Sequence, residues 1–105
     1  MIKFKYVFND NLLPLIRSEM IDFTDNFIVG YLDEGYSNQL SLCSLFLCCN
    51  YEYKDNQNMY RNPVGIVATN TQSAAIIYSN IFDGENCFIH SVLENDCKKM
   101  EVEPL

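Results

Sequence analysis

Apolar and polar residues alternate cleanly along the first seven residues that follow the initial methionine. In IKFKYVF, Ile2, Phe4, Tyr6 and Phe8 fall on one side, and the two lysines fall on the other. Because successive side chains of a β-strand point to opposite faces, this pattern predicts a strand with one buried and one solvated face. The segment NFIVGYLDEG predicts a second strand over residues 27–32, ending in a turn at DEG.

Two segments have the spacing of amphipathic helices. LLPLIRSEMIDF predicts a short helix, because Leu12, Ile16 and Met20 recur at helical intervals. The stronger pattern is NTQSAAIIYSNIFDG, in which Asn70 is placed to cap the N-terminus and Gly84 to close the C-terminus at C′. Its predicted apolar face consists of Ala74, Ala75, Tyr78, Ile81 and Phe82.

The stretch LCSLFLCCNYEY, residues 42–53, is interpreted as a long strand. Alternate positions form an unbroken apolar stripe, at Cys43, Leu45, Leu47, Cys49, Tyr51 and Tyr53. The other face starts apolar and becomes polar after Cys48, so the pattern predicts one fully buried face. The adjacent Cys48 and Cys49 then lie on opposite sides of the strand, where they cannot share a metal ion.

The remaining segments complete the predicted fold. They indicate a polar loop in YKDNQNMYRNP, a buried strand in VGIVAT, another strand in NCFIHSVLE and a short last strand in KKMEVEP. Together the elements predict a single α+β domain spanning residues 1–105. Its sheet is expected to be mainly antiparallel, with about five or six strands and one or two helices packed on one face.

Charge is the most informative bulk property. The net charge is −7, and two long stretches contain carboxylates without any cation: six between Arg17 and Lys54, and four between Arg61 and Lys98. Such a surface repels nucleic acid phosphates and anionic membranes, both of which need Lys or Arg to replace their counterions. It would attract a basic protein. The alternative is that the charge serves solubility alone.

The cysteine content and the apolar runs indicate a reduced, cytoplasmic protein. Five cysteines in irregular positions make a poor disulfide framework. No apolar run approaches the roughly 18 residues of a membrane span. The opening MIKFKYVF also lacks the uninterrupted apolar core of a signal peptide.

The pattern argues against metal and catalytic sites. Structural zinc sites use cysteine pairs set in turns, whereas Cys87 and His90 fall on opposite faces of one predicted strand. We expect the single histidine to be partly buried, on the same face as Phe88 and Val92. The four glycines stand singly, so no phosphate-binding loop is present. We therefore predict no catalytic residue, no metal and no cofactor.

Partner binding is better supported. Two turn-rich segments, YLDEGYSN and NYEYKDNQNMYRN, combine carboxylates and amides with tyrosines, which are frequent anchors of protein interfaces. Tyr51 and Tyr53 are also explained as the end of the core stripe, whereas two other tyrosines are predicted in loops. The predicted partner-binding residues are Asp33, Glu34, Tyr36, Glu52, Asp55 and Tyr60.

In general character the chain resembles the immunity proteins of bacterial toxin systems, those of contact-dependent growth inhibition in particular. The resemblance is carried by the acidic, tyrosine-bearing YLDEGYSN and NYEYKDN in a small α+β domain without a catalytic signature. It implies a tight complex with one cognate basic toxin, commonly a nuclease whose active site is covered. The alternatives are an acidic nucleic-acid mimic, an accessory subunit or, from another class, a small Cys/His enzyme.

Overall fold

The computed structural model describes residues 1–8 and 25–105, and the helix predicted around residues 12–20 lies outside them. In the described residues, one helix, α1 (Thr71–Ile81), accompanies six strands. The strands are β1 (Ile2–Val7), β2 (Phe27–Leu32), β3 (Ser44–Lys54), β4 (Gln57–Ala68), β5 (Phe88–Glu94) and β6 (Glu103–Pro104). Short 3-10 turns lie at Glu34–Tyr36, Leu40–Leu42 and Cys97–Lys99.

The strands form one mixed sheet in the order β5-β3-β4-β2-β1-β6. Neighbouring strands are antiparallel except for β2 and β4, which run parallel, with Gly30 opposite Gly65. The predicted single α+β domain with a mainly antiparallel sheet is confirmed. Strand β2 has the bounds that its sequence predicted.

Both faces of the sheet are buried along the first half of β3. One face, here called the Leu45 face, carries an apolar cluster made of Phe4, Tyr6, Phe8, Ile28, Cys43, Leu45, Leu47, Cys49, Val67 and Cys97. The opposite Phe46 face carries a cluster made of Phe46, Cys48, Val64, Ile66, Ala68, Ala74, Ile77 and Tyr78. Cys48 and Cys49 therefore point to opposite sides, as predicted. The expectation of a fully buried stripe is wrong at its end, because Tyr51 and Tyr53 are 44% and 62% exposed.

The segment predicted as a polar loop, residues 53–63, is instead a hairpin. It contains the end of β3 and the first half of β4, and only Asp55 and Asn56 turn the chain. These two residues have φ values of 54° and 60°, as in a type I′ turn, which suits the right-handed twist of paired strands. Polar side chains prevail here because neither face of this part of the sheet is covered.

Helix α1 begins where β4 ends and runs back across the Phe46 face. The Asn70 side chain accepts a hydrogen bond from the Ser73 backbone N–H at 2.8 Å, which confirms the predicted cap. At the other end Asp83, with φ 40°, occupies the left-handed C′ position, and the Gly84 N–H donates to Ser79 O at 3.2 Å. The C′ residue is therefore Asp83, one residue before the predicted Gly84, which occupies C″. No helix in the described part of the chain is long and apolar enough to cross a bilayer.

Candidate functional surface

The far end of the β3–β4 hairpin extends beyond its neighbours in the sheet. The β5 strand pairs with β3 only as far as Cys49, and β2 pairs with β4 only over residues 65–67. Residues 50–61, here called the distal hairpin, are therefore a two-stranded ribbon with solvent on both edges. Because an isolated ribbon of two strands is marginally stable in water, side-chain packing has to hold it in place.

Aromatic rings supply this packing on the Leu45 face. Tyr51 and Tyr60 are paired across the hairpin with ring centroids 5.6 Å apart, and each lies 5.5 Å from the ring of Phe88. His90 adds an edge contact to Tyr60 at 5.3 Å. We call these four residues the aromatic cluster. Tyr51 and Phe88 remain 44% and 39% exposed, so the cluster is both a structural support and an accessible apolar surface.

The Phe46 face of the distal hairpin bears a cleft of about 500 Å³, here called the carboxylate cleft. It lies between the hairpin and the segment that follows α1, and its polar lining includes Asn50, Glu52, Arg61, Asn62, Glu85 and Asn86.

The Glu85 carboxylate accepts hydrogen bonds from the side-chain amides of Asn50 and Asn62, the latter at 3.1 Å. The Asn50 Oδ1 atom is buried and accepts no hydrogen bond from the described residues. One wall of the cleft is therefore fixed by hydrogen bonds to the Glu85 carboxylate.

The cleft has the electrostatic character of a cation site. Two carboxylates, Glu52 and Glu85, line it, and the C-terminal end of α1 adds the negative end of a helix dipole. Arg61 lies 3.6 Å from Glu52, but both side chains are about half exposed, so this ion pair is weak and open to exchange. A cationic side chain of a partner could replace Arg61 beside Glu52 at little cost.

The structure separates the predicted binding residues into two groups. Glu52, Asp55 and Tyr60 belong to the distal hairpin, with Tyr60 in β4 and not in a loop. Asp33 and its neighbours follow β2, whose last residue lies opposite Val67. Val67 lies ten positions after Gln57 along β4, which corresponds to about 33 Å. The two groups therefore lie at opposite ends of the sheet.

The second group has a mainly structural environment. Asp33 caps the 3-10 turn by accepting a hydrogen bond from the Gly35 N–H at 2.9 Å. Tyr36 packs against both apolar clusters and is not a free loop side chain. Glu34 is exposed and lies 4.0 Å from the N-terminal amine. Of these three, Glu34 is the exposed charge, and its nearest ionic partner is the N-terminal amine.

Sequence reasoning missed Phe88, His90, Glu85, Asn50 and Asn62 as parts of this surface. The alternation in β5 placed Phe88 and His90 on one face, but nothing in the sequence indicated that this face meets Tyr60. The contribution of Glu85 depends on α1 crossing back over the sheet, which brings a distant residue to the hairpin.

The cysteines show the properties of core residues. Burial raises the pKa of the Cys49 and Cys97 thiols to about 12, and it raises the pKa of Cys48 well above its usual value. Thiols in such an environment ionise little at neutral pH and are poor nucleophiles toward reagents in solution. Among residues 1–8 and 25–105, no group of three or more His, Cys, Asp or Glu side chains could hold a metal ion.

Comparison of the chain with protein-family models, with curated proteins and with solved structures finds no significant match.

Proposed function

We propose that this protein is an immunity protein that neutralises a cognate basic toxin, a nuclease domain, by binding it through the distal end of the sheet. The observation that carries the proposal is the pairing of two surfaces on the same projecting hairpin. The aromatic cluster lies on one face and the carboxylate cleft on the other. A partner that grips the hairpin would contact both.

The aromatic cluster suits the centre of such an interface. Tyrosine and phenylalanine bury a large area with few rotatable bonds, and hot spots concentrate in aromatic and arginine residues. Tyr53, next along the same face of β3, is 62% exposed and extends the cluster toward the hairpin tip. Contact with a partner would remove this apolar surface from water.

The carboxylate cleft suits the cations of a nuclease. Enzymes that hold phosphates present Lys and Arg in their clefts, and carboxylates can occupy the phosphate positions. A guanidinium between Glu52 and Glu85 would donate charge-assisted hydrogen bonds to two carboxylates. The net charge of −7 would speed the encounter at low salt.

The test compares two matched double variants at opposite ends of the sheet. The binding partner used is the purified polypeptide encoded by the gene immediately upstream. Glu52→Gln with Asp55→Asn should weaken binding at least tenfold, because cations buried at the interface lose their partners. Asp33→Asn with Glu34→Gln removes the same charge and should change the Kd less than twofold.

A larger loss in the Asp33/Glu34 double variant would move the interface to the other end of the sheet. Equal small losses of affinity in the two double variants would mean that these carboxylates act only through long-range electrostatic attraction. If the protein neither binds that polypeptide nor protects cells that express it, the immunity proposal fails.

A further inference from the structure

We infer that Cys48 and Cys87 form an intramolecular disulfide when the protein meets a small-molecule disulfide such as oxidised glutathione. The two residues come from distant parts of the chain and lie on the same face of the sheet. This modification site is independent of the proposed binding function.

The strand register makes the two cysteines diagonal neighbours on one face of β3 and β5. Cys48 lies opposite Ile89, and Cys49 lies opposite Phe88, so the chain just before β5 passes beside Asn50. Cys87 is the last residue before that strand and packs against the apolar cluster that contains Cys48. The two thiols are close enough to influence each other's pKa: Cys87 raises that of Cys48, and Cys48 lowers that of Cys87. Cys87 precedes the residues that pair with β3, so the strand ladder does not fix its backbone against the small shift that a sulfur separation of roughly 2.05 Å requires.

The two thiols differ in the ways that an attacking and a resolving cysteine require. Cys48 is completely buried, whereas Cys87 is partly exposed. Burial raises the pKa of both, but the hydrogen bond from Cys48 lowers the pKa of Cys87 in opposition to that effect. Of the two thiols, Cys87 is therefore the one that is accessible to solvent and that ionises at the lower pH.

The reaction proceeds in two exchanges. The Cys87 thiolate attacks one sulfur of oxidised glutathione, forms a mixed disulfide and releases one glutathione, which takes the proton. The Cys48 sulfur then attacks the Cys87 sulfur, gives up its proton and releases the second glutathione. Two protein thiols are oxidised by two electrons, and one glutathione disulfide is reduced to two thiols.

The bond would act on the wall of the carboxylate cleft. Glu85 and Asn86 line this cleft and immediately precede Cys87. Linking Cys87 to β3 would fix the segment that joins α1 to β5. The geometry does not favour Cys49 as the partner, because its thiol points to the Leu45 face and donates to the Phe88 carbonyl at 3.6 Å.

The test is oxidation of the full chain with oxidised glutathione, followed by mass spectrometry and thiol counting after unfolding. We expect the loss of two of the five thiols, no retained glutathione, and a fragment pair that joins Cys48 to Cys87. Cys87→Ser and Cys48→Ser should abolish the bond, and Cys49→Ser should retain it. If Cys48→Ser does not fold, fragmentation of the unmodified protein still distinguishes Cys48 from Cys49. A stable glutathione adduct on Cys87, a bond to Cys49, or five intact thiols would overturn the inference.

Discussion

The ring of Phe4 covers Gly30 on the neighbouring strand so closely that a Cβ atom at Gly30 would overlap it. Phe4 is 2% exposed and lies within the cluster on the Leu45 face, so its ring has no room to move aside. The glycine is required here for its lack of a side chain.

Gly30→Ala should therefore destabilise the fold by about 3 kcal/mol, as overpacking of a tight core does. Denaturant unfolding measured by circular dichroism tests this. Gly35→Ala is the matched control, because its Cβ would meet nothing closer than Asp33 Oδ1 at 3.4 Å. Partial recovery in a Gly30→Ala, Phe4→Leu double variant would identify the ring as the cause. Equal stability of the two glycine variants would contradict this account.

The helix cap gives a second stability prediction. Asn70→Ala removes the side-chain acceptor of the Ser73 N–H and should cost about 1 kcal/mol in the free energy of unfolding. Asn80→Ala makes the same change at an exposed position within α1 and should be neutral or slightly stabilising. Asn70→Asp should retain most of the stability. Equal free energies of unfolding for the two alanine variants would contradict the interpretation of Asn70 as a cap.

Tyr6 provides a prediction about alkaline pH. Burial, and then the nearby Glu94 carboxylate, raise the pKa of Tyr6 to about 12, and the Tyr6 hydroxyl donates to Glu94 Oε1 at 3.2 Å. The unfolded chain loses this proton at about pH 10, before the folded chain does. The stability that Tyr6 contributes is therefore complete below pH 10 and is lost as the pH rises toward 12.

Tyr6→Phe should accordingly be less stable than the parent at pH 8, because the hydrogen bond is lost. Its stability should fall less steeply between pH 10 and 12, since this residue no longer titrates. Urea midpoints at several pH values, under reducing conditions, measure both effects. Parallel pH profiles for the two proteins would show that Tyr6 contributes nothing to the alkaline loss.

The aromatic cluster gives a prediction that depends on the proposed function. Tyr51→Ala removes a ring that contacts both Tyr60 and Phe88 and should weaken partner binding by about 2 kcal/mol or more. Leu42→Ala removes a 70% exposed apolar side chain outside the distal hairpin and should not affect binding. Calorimetric titration compares them, with Tyr51→Phe separating the ring from its hydroxyl. Undiminished binding by Tyr51→Ala would exclude the cluster from the interface.

The environment of the cysteines leads us to predict that the isolated protein carries no metal ion. Cys48 and Cys49 face opposite sides of β3, and their thiols resist ionisation through burial. Because zinc binds cysteine as the thiolate, protein prepared without added metal should show the bare chain mass in native mass spectrometry. One tightly held zinc ion would refute this interpretation of the cysteine-rich strand.

The elements whose burial changes regularly along the chain could be predicted from sequence. The alternation in β1, the apolar run of β2 and the cap at Asn70 depend on local rules, and the structure confirms these two strands and the cap. The first half of β4 could not be predicted in this way. Its side chains are polar because no other layer covers the distal hairpin, so the sequence resembles that of a loop. The Asp55–Asn56 turn was the available signal.

The candidate surface was less predictable, because it depends on contacts between distant residues. Tyr60 meets Phe88 and His90 only because β5 pairs with β3 on the side opposite to β4. Glu85 reaches Asn50 and Asn62 only because α1 returns over the Phe46 face. Charge counting identified acidic segments, but it could not reveal that two of them lie at opposite ends of the sheet.

The two-residue turn at Asp55–Asn56 has a consequence for the order in which the chain folds. It joins the two longest strands of the described residues, so their pairing needs very little loop closure. By contrast, the parallel pairing of Gly30 with Gly65 requires the chain to close a long loop that already contains this hairpin. Local contacts form faster than distant ones. The β3–β4 hairpin should therefore act as the template on which β2 and β5 assemble, followed by β1 and β6.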